Sequence, residues 1–311
     1  MDLIYAALGL VILLLAGDAL VRGAVNLALR LGIPALIVSL TIVSLGTSAP
    51  ELFIGVDAVL EGAPGLAIGN VVGSNTANVL LVLGLPAMVA AIYCANLETA
   101  RSYGHMMIAT IVFIALCFVG PFTWISGLIL LALLALIIGD QIRDARAHMK
   151  ANEDVEVEGA DPSMRAWKIT AFLIAGLIGL PLGAKLFVTS AVNIATAIGV
   201  SETVIGLTLV AIGTSLPELA TTVMAALRRQ ADVALGNVIG SNIFNILGII
   251  GVASLFGTIP VAADFLRFDL WVMLAASLLL APFVLWRLDI TRPVGAVLTA
   301  VYIGYILVVL V

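Results

Sequence analysis

Long apolar stretches separated by short polar breaks set the pattern of this chain. Ten such stretches fall at about 3–21, 33–60, 64–90, 105–120, 122–140, 167–190, 200–227, 232–257, 267–286 and 291–311. Their lengths lie near the ~20 residues a helix needs to cross a hydrocarbon layer. Barrel strands would alternate with a period of two instead of running unbroken, so the spans are expected to be helices. The one long polar segment, 143–166, carries the acidic run Glu153-Asp154-Val155-Glu156-Val157-Glu158 and reads as a solvated linker. It divides the chain into a first five-helix unit, 1–142, and a second, 167–311. The expected fold class is an all-α membrane protein with ten transmembrane helices.

Composition narrows the choice further. The 311 residues are 62% hydrophobic and 11% charged, with a mean hydropathy of +1.22. A soluble domain runs nearer half apolar and a quarter charged. No basic stripe suits a nucleic acid. Cys94 and Cys117 form no metal or redox spacing and read as small apolar fillers. Met1-Asp2 precedes the first apolar run without a basic residue, so that run is expected to be a retained span and not a leader peptide.

Basic residues decide the expected orientation. With the N-terminus outside, the cytoplasmic side receives twelve of the fourteen Lys and Arg, and the outer side keeps Lys185 and Arg267. That bias predicts a multi-pass protein of the cell (inner) membrane, with both termini outside and the linker in the cytoplasm. Trp124, Trp167, Trp271 and Trp286 all lie near span ends, as an interfacial belt requires.

The two units repeat. A shift of 167 residues carries Gly46-Thr47-Ser48-Ala49-Pro50-Glu51 onto Gly213-Thr214-Ser215-Leu216-Pro217-Glu218. It also carries Gly69-Asn70-Val71-Val72-Gly73-Ser74-Asn75 onto Gly236-Asn237-Val238-Ile239-Gly240-Ser241-Asn242, and Asn78 onto Asn245. Over 46–78 against 213–245, 17 of 33 positions are identical without a gap, and the matches concentrate on Gly, Pro, Ser, Thr, Asn and Glu. Five spans per unit is odd, so the second unit enters the membrane from the opposite side. Two inverted-topology repeats of this kind place a binding site near the midplane, where interrupted helices meet.

The chemistry inside the repeat is that of a cation site. A carboxylate near the bilayer centre costs at least a few kcal/mol and marks function by default. Glu51 and Glu218 occupy equivalent positions with no basic residue nearby on their spans. Two such carboxylates either share protons or hold cations. Thr47 lies one turn before Glu51, and Ser74 one turn before Asn78; Thr214/Glu218 and Ser241/Asn245 repeat the arrangement. Pro50 and Pro217 lack the N–H that would bond the carbonyls of Gly46 and Gly213. Every candidate ligand is a hard oxygen, which suits Ca²⁺, Na⁺ or Mg²⁺. One Ca²⁺ or two Na⁺ would neutralise the pair of acids, and both together would overcharge it.

These motifs resemble the two alpha-repeats of the cation/calcium exchanger superfamily, and are most similar to those of prokaryotic sodium/calcium exchangers. The resemblance implies Na⁺/Ca²⁺ antiport by alternating access, with spans one and six sliding past a fixed core. It also implies Ca²⁺ at Glu51, Glu218, Thr47 and Thr214. Sodium would use the same acids with Ser48, Ser215, Ser74 and Ser241, and the backbone carbonyls of Ser44 and Ala211 would contribute. In the family an Asp stands where this chain has Asn245, so the central acids number two here and not three.

Other readings bear on the same residues. Helix packing accounts for most of Gly69, Gly73, Gly236 and Gly240. Asn26 and Asn193 read as packing or capping residues, and Arg228-Arg229 as a cytoplasmic anchor. Asp18 and Lys185 hold matched positions and either pair or snorkel. A proton- or potassium-coupled exchanger is the main alternative function, and a passive cation channel a further one. An enzyme is not expected, for want of a catalytic motif. No cofactor, no nucleic acid and no obligate protein partner are expected, only the lipid bilayer and the transported ions.

Overall fold

The computed structural model describes residues 1–94, 97–151, 160–198 and 211–309; of residues 97–98, 148–151, 211–212 and 264 only the backbone is described. In chain order the helices are α1 (Asp2–Leu31), α2 (Ala35–Val38), α3 (Ser44–Thr47), α4 (Ala49–Leu60), α5 (Gly65–Ala77), α6 (Gly84–Val89), α7 (Leu97–Val119), α8 (Trp124–Ala151) and α9 (Ala166–Ala197). There follow α10 (Ala211–Thr214), α11 (Leu216–Leu227), α12 (Ala231–Ile243), α13 (Ile250–Phe256), α14 (Ala263–Arg267), α15 (Asp269–Leu279), α16 (Ala281–Leu285) and α17 (Arg292–Val309). Among the described residues, the π-helical segments Ser39–Val43, Asn78–Val82 and Phe244–Ile249 join neighbouring helices into longer rods. Among the described residues the only extended pairings are two single bridges, Ile92 with Ile290 and Phe122 with Ile259.

Eight helices among the described residues are long and apolar enough to cross a membrane, or nine if the bent pair α2–α3/α4 counts as one span. The apolar runs therefore become helices in the expected order, although residues 199–210, where the seventh run begins, lie outside the described residues. Several helices overrun the expected ends. α7 starts at Leu97 and not at 105, because Arg101 and His105 stay on the helix and meet acids of α8: Arg101 pairs with Asp144 and, at 2.6 Å, with Asp140, and His105 Nε2 lies 3.3 Å from Asp140. α8 runs on to Ala151, into the stretch expected to be linker. Its end, Gln-Ile-Arg-Asp-Ala-Arg-Ala, is rich in good helix formers. The acidic run 153–158 lies outside the described residues.

Two rods form the centre. The window from Gly65 to Val89 is 78% buried and that from Ala231 to Phe256 is 83% buried, against 17–39% for the other six spans. These two carry the Gly/Ser/Asn motifs, so the most polar spans are the ones most shielded from lipid. Unpaired polar groups in hydrocarbon cost several kcal/mol each, which drives this sorting. Small residues let the backbones close up: a Cβ on Gly240 would stand 2.7 Å from the Leu40 carbonyl oxygen, and one on Gly236 2.8 Å from Ser39 Cβ. The packing reading holds for that pair. For Gly73, the partners that the 167-residue shift would assign include 207, outside the described residues.

α1 and α9, one from each unit, pack along each other on the outside of the core. Their seam is tight: a Cβ on Gly176 would meet Leu20 Cβ at 2.5 Å, and one on Gly183 the Leu13 nitrogen at 2.9 Å. The 167-residue shift is also visible in the backbone. α4 ends with Gly62 N–H donating to Val59 O and Ala63 N–H to Ala58 O. α11 ends with Arg229 N–H donating to Ala226 O and Gln230 N–H to Ala225 O, the same pairs 167 residues on. Both turns use a left-handed residue, Gly62 at φ 80° and Arg229 at φ 57°.

Candidate cation site

Ser48 and Ser215 break their helices with nearly the same torsions, φ −87° ψ 6° and φ −84° ψ 4°. Neither is helical; both sit in the sparsely populated region between helix and strand. The break comes two residues before each proline. Pro50 and Pro217 then occupy the second helical position of α4 and α11, where a missing N–H costs little. The axis bends by 44° between α2–α3 and α4. Glu51 and Glu218 stand in the first turn of the new helices, where the helix dipole favours an anion. The interruption thus sets a carboxylate beside the carbonyl-bearing end of the helix before it.

Both carboxylates are 1% exposed. They are near enough to repel each other. Glu218 Oε1 accepts a hydrogen bond from Ser48 Oγ at 2.9 Å. Among the described residues, Glu218 Oε2 and Glu51 Oε2 are buried without a hydrogen-bond partner. Asn75 Oδ1, Asn78 Oδ1, Asn245 Oδ1 and Ser215 Oγ are in the same condition. These six oxygens lie on α4, α11, the residue between α10 and α11, and the two central rods. A buried acceptor left unmet costs about 1–3 kcal/mol, more if charged. A cation coordinated by such oxygens would remove that cost. Among the described residues no three His, Cys, Asp or Glu gather as a metal cluster; the unpartnered oxygens described here belong to two acids and to neutral amide and hydroxyl groups.

The expected ligands are placed as follows. Thr47 Oγ1 donates to Asn237 Oδ1 at 3.2 Å and lies 3.5 Å from Ser241 Oγ. Ser44 O already accepts from Ser48 N–H at 3.0 Å and from Thr47 Oγ1 at 3.3 Å. Ser74, Ser241, Asn78 and Asn245 are all buried. Asn78 Nδ2 donates to Asn242 Oδ1 at 3.0 Å. Thr214 ends α10 next to Ser215. Ala211 opens that helix, and its side chain is outside the description.

Four asparagines of the motifs were left out of the expected ligand set. Asn75 Nδ2 donates to Asn242 O at 3.2 Å, and Asn242 Nδ2 donates to Asn75 O at 3.4 Å, a reciprocal pair between residues 167 apart. Asn237 Nδ2 donates to Glu218 O and to Thr222 Oγ1, tying α12 to α11 behind the carboxylate. Asn70, its counterpart, has Nδ2 buried without a partner. Their recurrence at the repeat spacing was the signal that they belong to the centre.

Two other expectations are corrected or refined. Asp18 does not pair with Lys185: it bonds Arg22 at 3.0 Å and also Arg228, and Lys185 is exposed. Arg228 is thus more than an anchor, because α1 passes close to the end of α11. Asn26, inside α1, donates from Nδ2 to Arg22 O at 2.8 Å and accepts at Oδ1 from Asp161 N–H at 2.8 Å, while Asn193 Nδ2 donates to Asp2 at 3.2 Å. Asp161 also accepts from Ser163, which holds its carboxyl below the usual carboxylate range. Cys94 and Cys117 are free and buried, as expected of fillers.

Comparison with known proteins places this arrangement. Residues 1–142 and 168–311 match the family described as sodium/calcium exchanger protein. The sodium/calcium exchanger MaX1 of Methanosarcina acetivorans is 32% identical over 344 residues, covering 97% of this chain and 96% of the relative. The inner membrane protein YrbG of Escherichia coli is 34% identical, covering 96% and 93%. A structure of the sodium-calcium exchanger NCX_Mj soaked with Na⁺ and Sr²⁺ superposes with a TM-score of 0.84 at 34% identity, over 98% of this chain and 97% of that one. Both the sequence and the fold agree from end to end, and the chain belongs to the sodium/calcium exchanger protein family.

Proposed function

We propose that this chain is a secondary antiporter that exchanges Na⁺ for Ca²⁺ across the cell membrane at a midplane site built on Glu51 and Glu218. The observation that carries the reading is the pair of fully buried carboxylates, one from each repeat, each keeping an oxygen with no protein partner. Thr47, Thr214, Ser48, Ser215, Ser74, Ser241, Asn78, Asn245 and the carbonyls of Ser44 and Ala211 complete the ligand set. Calcium takes six to eight oxygens in a tolerant geometry, which such a set supplies. With a site charge of −2, one Ca²⁺ or two Na⁺ bring it to neutrality, and low dielectric penalises loading both. That mutual exclusion is the basis of exchange.

The architecture in this reading is two inverted repeats, 1–142 and 167–311, of five spans each. Its seventh span, expected over 200–227, contains α10 and α11, the counterparts of α3 and α4. It is supported by the matching helix breaks at Ser48 and Ser215, by the matching turns at Gly62 and Arg229, and by the reciprocal Asn75–Asn242 bonds. The two bridges add to it, since Ile92 and Ile259 are 167 apart and pair with segments of the opposite unit. Both termini lie outside and 143–166 in the cytoplasm. Access then alternates by motion of one helix group against another around the fixed site.

The test is ⁴⁵Ca uptake into proteoliposomes under Na⁺, K⁺ and H⁺ gradients in parallel. Uptake driven by an outward Na⁺ gradient is expected. Flux persisting with no counter-gradient would make the protein a channel and overturn the reading; uptake driven by K⁺ or H⁺ alone would reassign the coupling ion.

A further inference from the structure

The 167-residue shift relates more than the ligand motifs. It carries Asp18 of α1 onto Lys185 of α9, and Glu61, at the end of α4, onto Arg228, at the end of α11. Asp18–Arg228 is an ion pair between the outer helix of the first unit and the ligand-bearing helix of the second. Its counterpart is Lys185–Glu61, between the outer helix of the second unit and the ligand-bearing helix of the first. The signs are exchanged, so both combinations are attractive. Random placement of charge on a repeat would as readily have made one of them repulsive.

Only one of the two pairs is closed. Asp18 is held between Arg22 and Arg228, with 20% of its side chain exposed. Glu61 and Lys185 are exposed, and among the described residues neither has an ion-pair or hydrogen-bond partner on its side chain. The packing differs in the same sense. α1 lies closely along α11, where a Cβ on Gly17 would meet the Ala220 carbonyl oxygen at 2.9 Å. The shift places Ala184 and Phe53 at the corresponding point of α9 and α4, yet Phe53 is 71% exposed and the two helices form no comparable seam. A cleft of about 240 Å³, lined by Val21, Arg22, Val25, Leu227, Arg228 and Gln230, runs beside the closed pair.

We propose that Asp18–Arg228 and Glu61–Lys185 are two ionic latches on opposite faces of the membrane, closed in alternation, each holding the site shut from its own face. The inference rests on the alternating-access reading above. In the conformation described, the first latch is closed and the second open. When the α1/α9 pair shifts against α4 and α11, Asp18 leaves Arg228, and Lys185 reaches Glu61. Asp18 keeps Arg22 as a partner one turn along its own helix, so releasing Arg228 does not leave an isolated carboxylate. The residue in the matched position beside Lys185 is Thr189, which offers no charge. The first latch is therefore the easier to release once formed.

The experiment measures the Ca²⁺ concentration dependence of exchange from each face in proteoliposomes of defined orientation. Partly exposed ion pairs bias an equilibrium modestly, so shifts of about two- to fivefold are expected. Asp18→Asn should favour the state open on the Arg228 face, tightening apparent Ca²⁺ affinity there and weakening it on the Glu61 face. Lys185→Gln should shift both in the opposite sense. The double variant Asp18→Asn with Arg228→Gln should shift the balance no further than Asp18→Asn alone, since both changes remove the same pair. A purely structural role would change affinity on both faces alike. Shifts of the same sign, or none, overturn the latches.

Amide hydrogen exchange on the same proteins reads the latches without transport. Asp18→Asn should loosen the turn at Arg229–Gln230 and protect that at Gly62–Ala63, and unchanged protection of both would count against the proposal. If wild-type protein exchanges no Ca²⁺, the transport reading fails, and the hydrogen-exchange result alone decides the latches.

Discussion

Glu51→Gln and Glu218→Gln remove one charge each while keeping the side-chain shape. In the native site, two buried carboxylates stand close enough to repel, and each keeps an unpartnered oxygen. With one acid neutralised, a bound Ca²⁺ would leave an uncompensated charge in the interior. Breaking a buried charge balance costs about 3–5 kcal/mol, which is roughly 10²- to 10³-fold or more in affinity. Uptake of ⁴⁵Ca into sodium-loaded vesicles should therefore fall to background at concentrations that saturate the wild type. Thermal unfolding supplies the control for folding. A ligand at 100 times its dissociation constant stabilises the native state by about 2.7 kcal/mol, so Ca²⁺ should raise the wild-type melting temperature. It should leave both variants unmoved. Without Ca²⁺ and Na⁺ the variants should melt no lower than the wild type, because a buried amide costs less to desolvate than a buried carboxylate. Near-normal uptake in both variants, or a preserved Ca²⁺ shift, would refute the site.

Further outcomes follow from particular contacts. Ser48→Ala deletes the donor to Glu218 Oε1 and should lower the stability of ion-free protein by about 1.5–3 kcal/mol; Ser215→Ala, whose hydroxyl has no partner, should cost less than about 1 kcal/mol in the same melts. Gly240→Ala would drive a methyl to 2.5 Å from Ser44 Oγ and 2.7 Å from Leu40 O, and should destabilise by about 1–3 kcal/mol. Gly104→Ala on α7, with nothing within 4 Å among the described residues, should be neutral or stabilising by up to about 1 kcal/mol. N-ethylmaleimide should label neither cysteine of the folded protein between pH 7 and 9. Both are buried, and burial pushes the Cys94 thiol up to about 12, so the reactive thiolate stays scarce until the protein unfolds.

The spans were legible because hydrophobic length alone predicts them. Their ends were not, since charged side chains on a helix are tolerated when a neighbouring helix supplies partners. Arg101 on α7, with Asp140 and Asp144 on α8, is the case. The proline-based break was located to within two residues, because Pro50 and Pro217 start the new helix and the serines before them make the bend. The π segments left no trace in the sequence. Val79-Leu80-Leu81-Val82 is apolar on every side, and a period of 4.4 cannot be told from 3.6 without polar positions to mark it. The Asp18–Arg228 contact joins residues 210 apart, and only the crossing of α1 over α11 brings them together. The reciprocal Asn75–Asn242 pair falls between these cases. The repeat singled out both residues, but the direction of each amide depends on how the two rods cross.

The centre holds one more piece of reasoning that neither half supplies alone. Ser48 donates to Glu218, while Ser215 makes no bond to Glu51. Asn237 spans Thr47, Glu218 and Thr222, while Asn70 Nδ2 bonds nothing. The repeats share Thr, Ser, Pro, Glu and Asn in the same order, but Thr222 corresponds to Gly55, which has no hydroxyl for Asn70 Nδ2 to reach. The missing hydroxyl accounts for part of the difference at Asn70 and leaves the contrast between Ser48 and Ser215 to be explained. It comes from how the surrounding helices are placed, with α1 closed on α11 and α9 standing off α4. The mirrored arrangement would have Ser215 donate to Glu51, a bond of the same kind as the one Ser48 makes to Glu218. In the antiporter reading proposed above, such an exchange of roles would accompany opening of the site to the other side. The asymmetry seen at the carboxylates is then the local mark of which side is open.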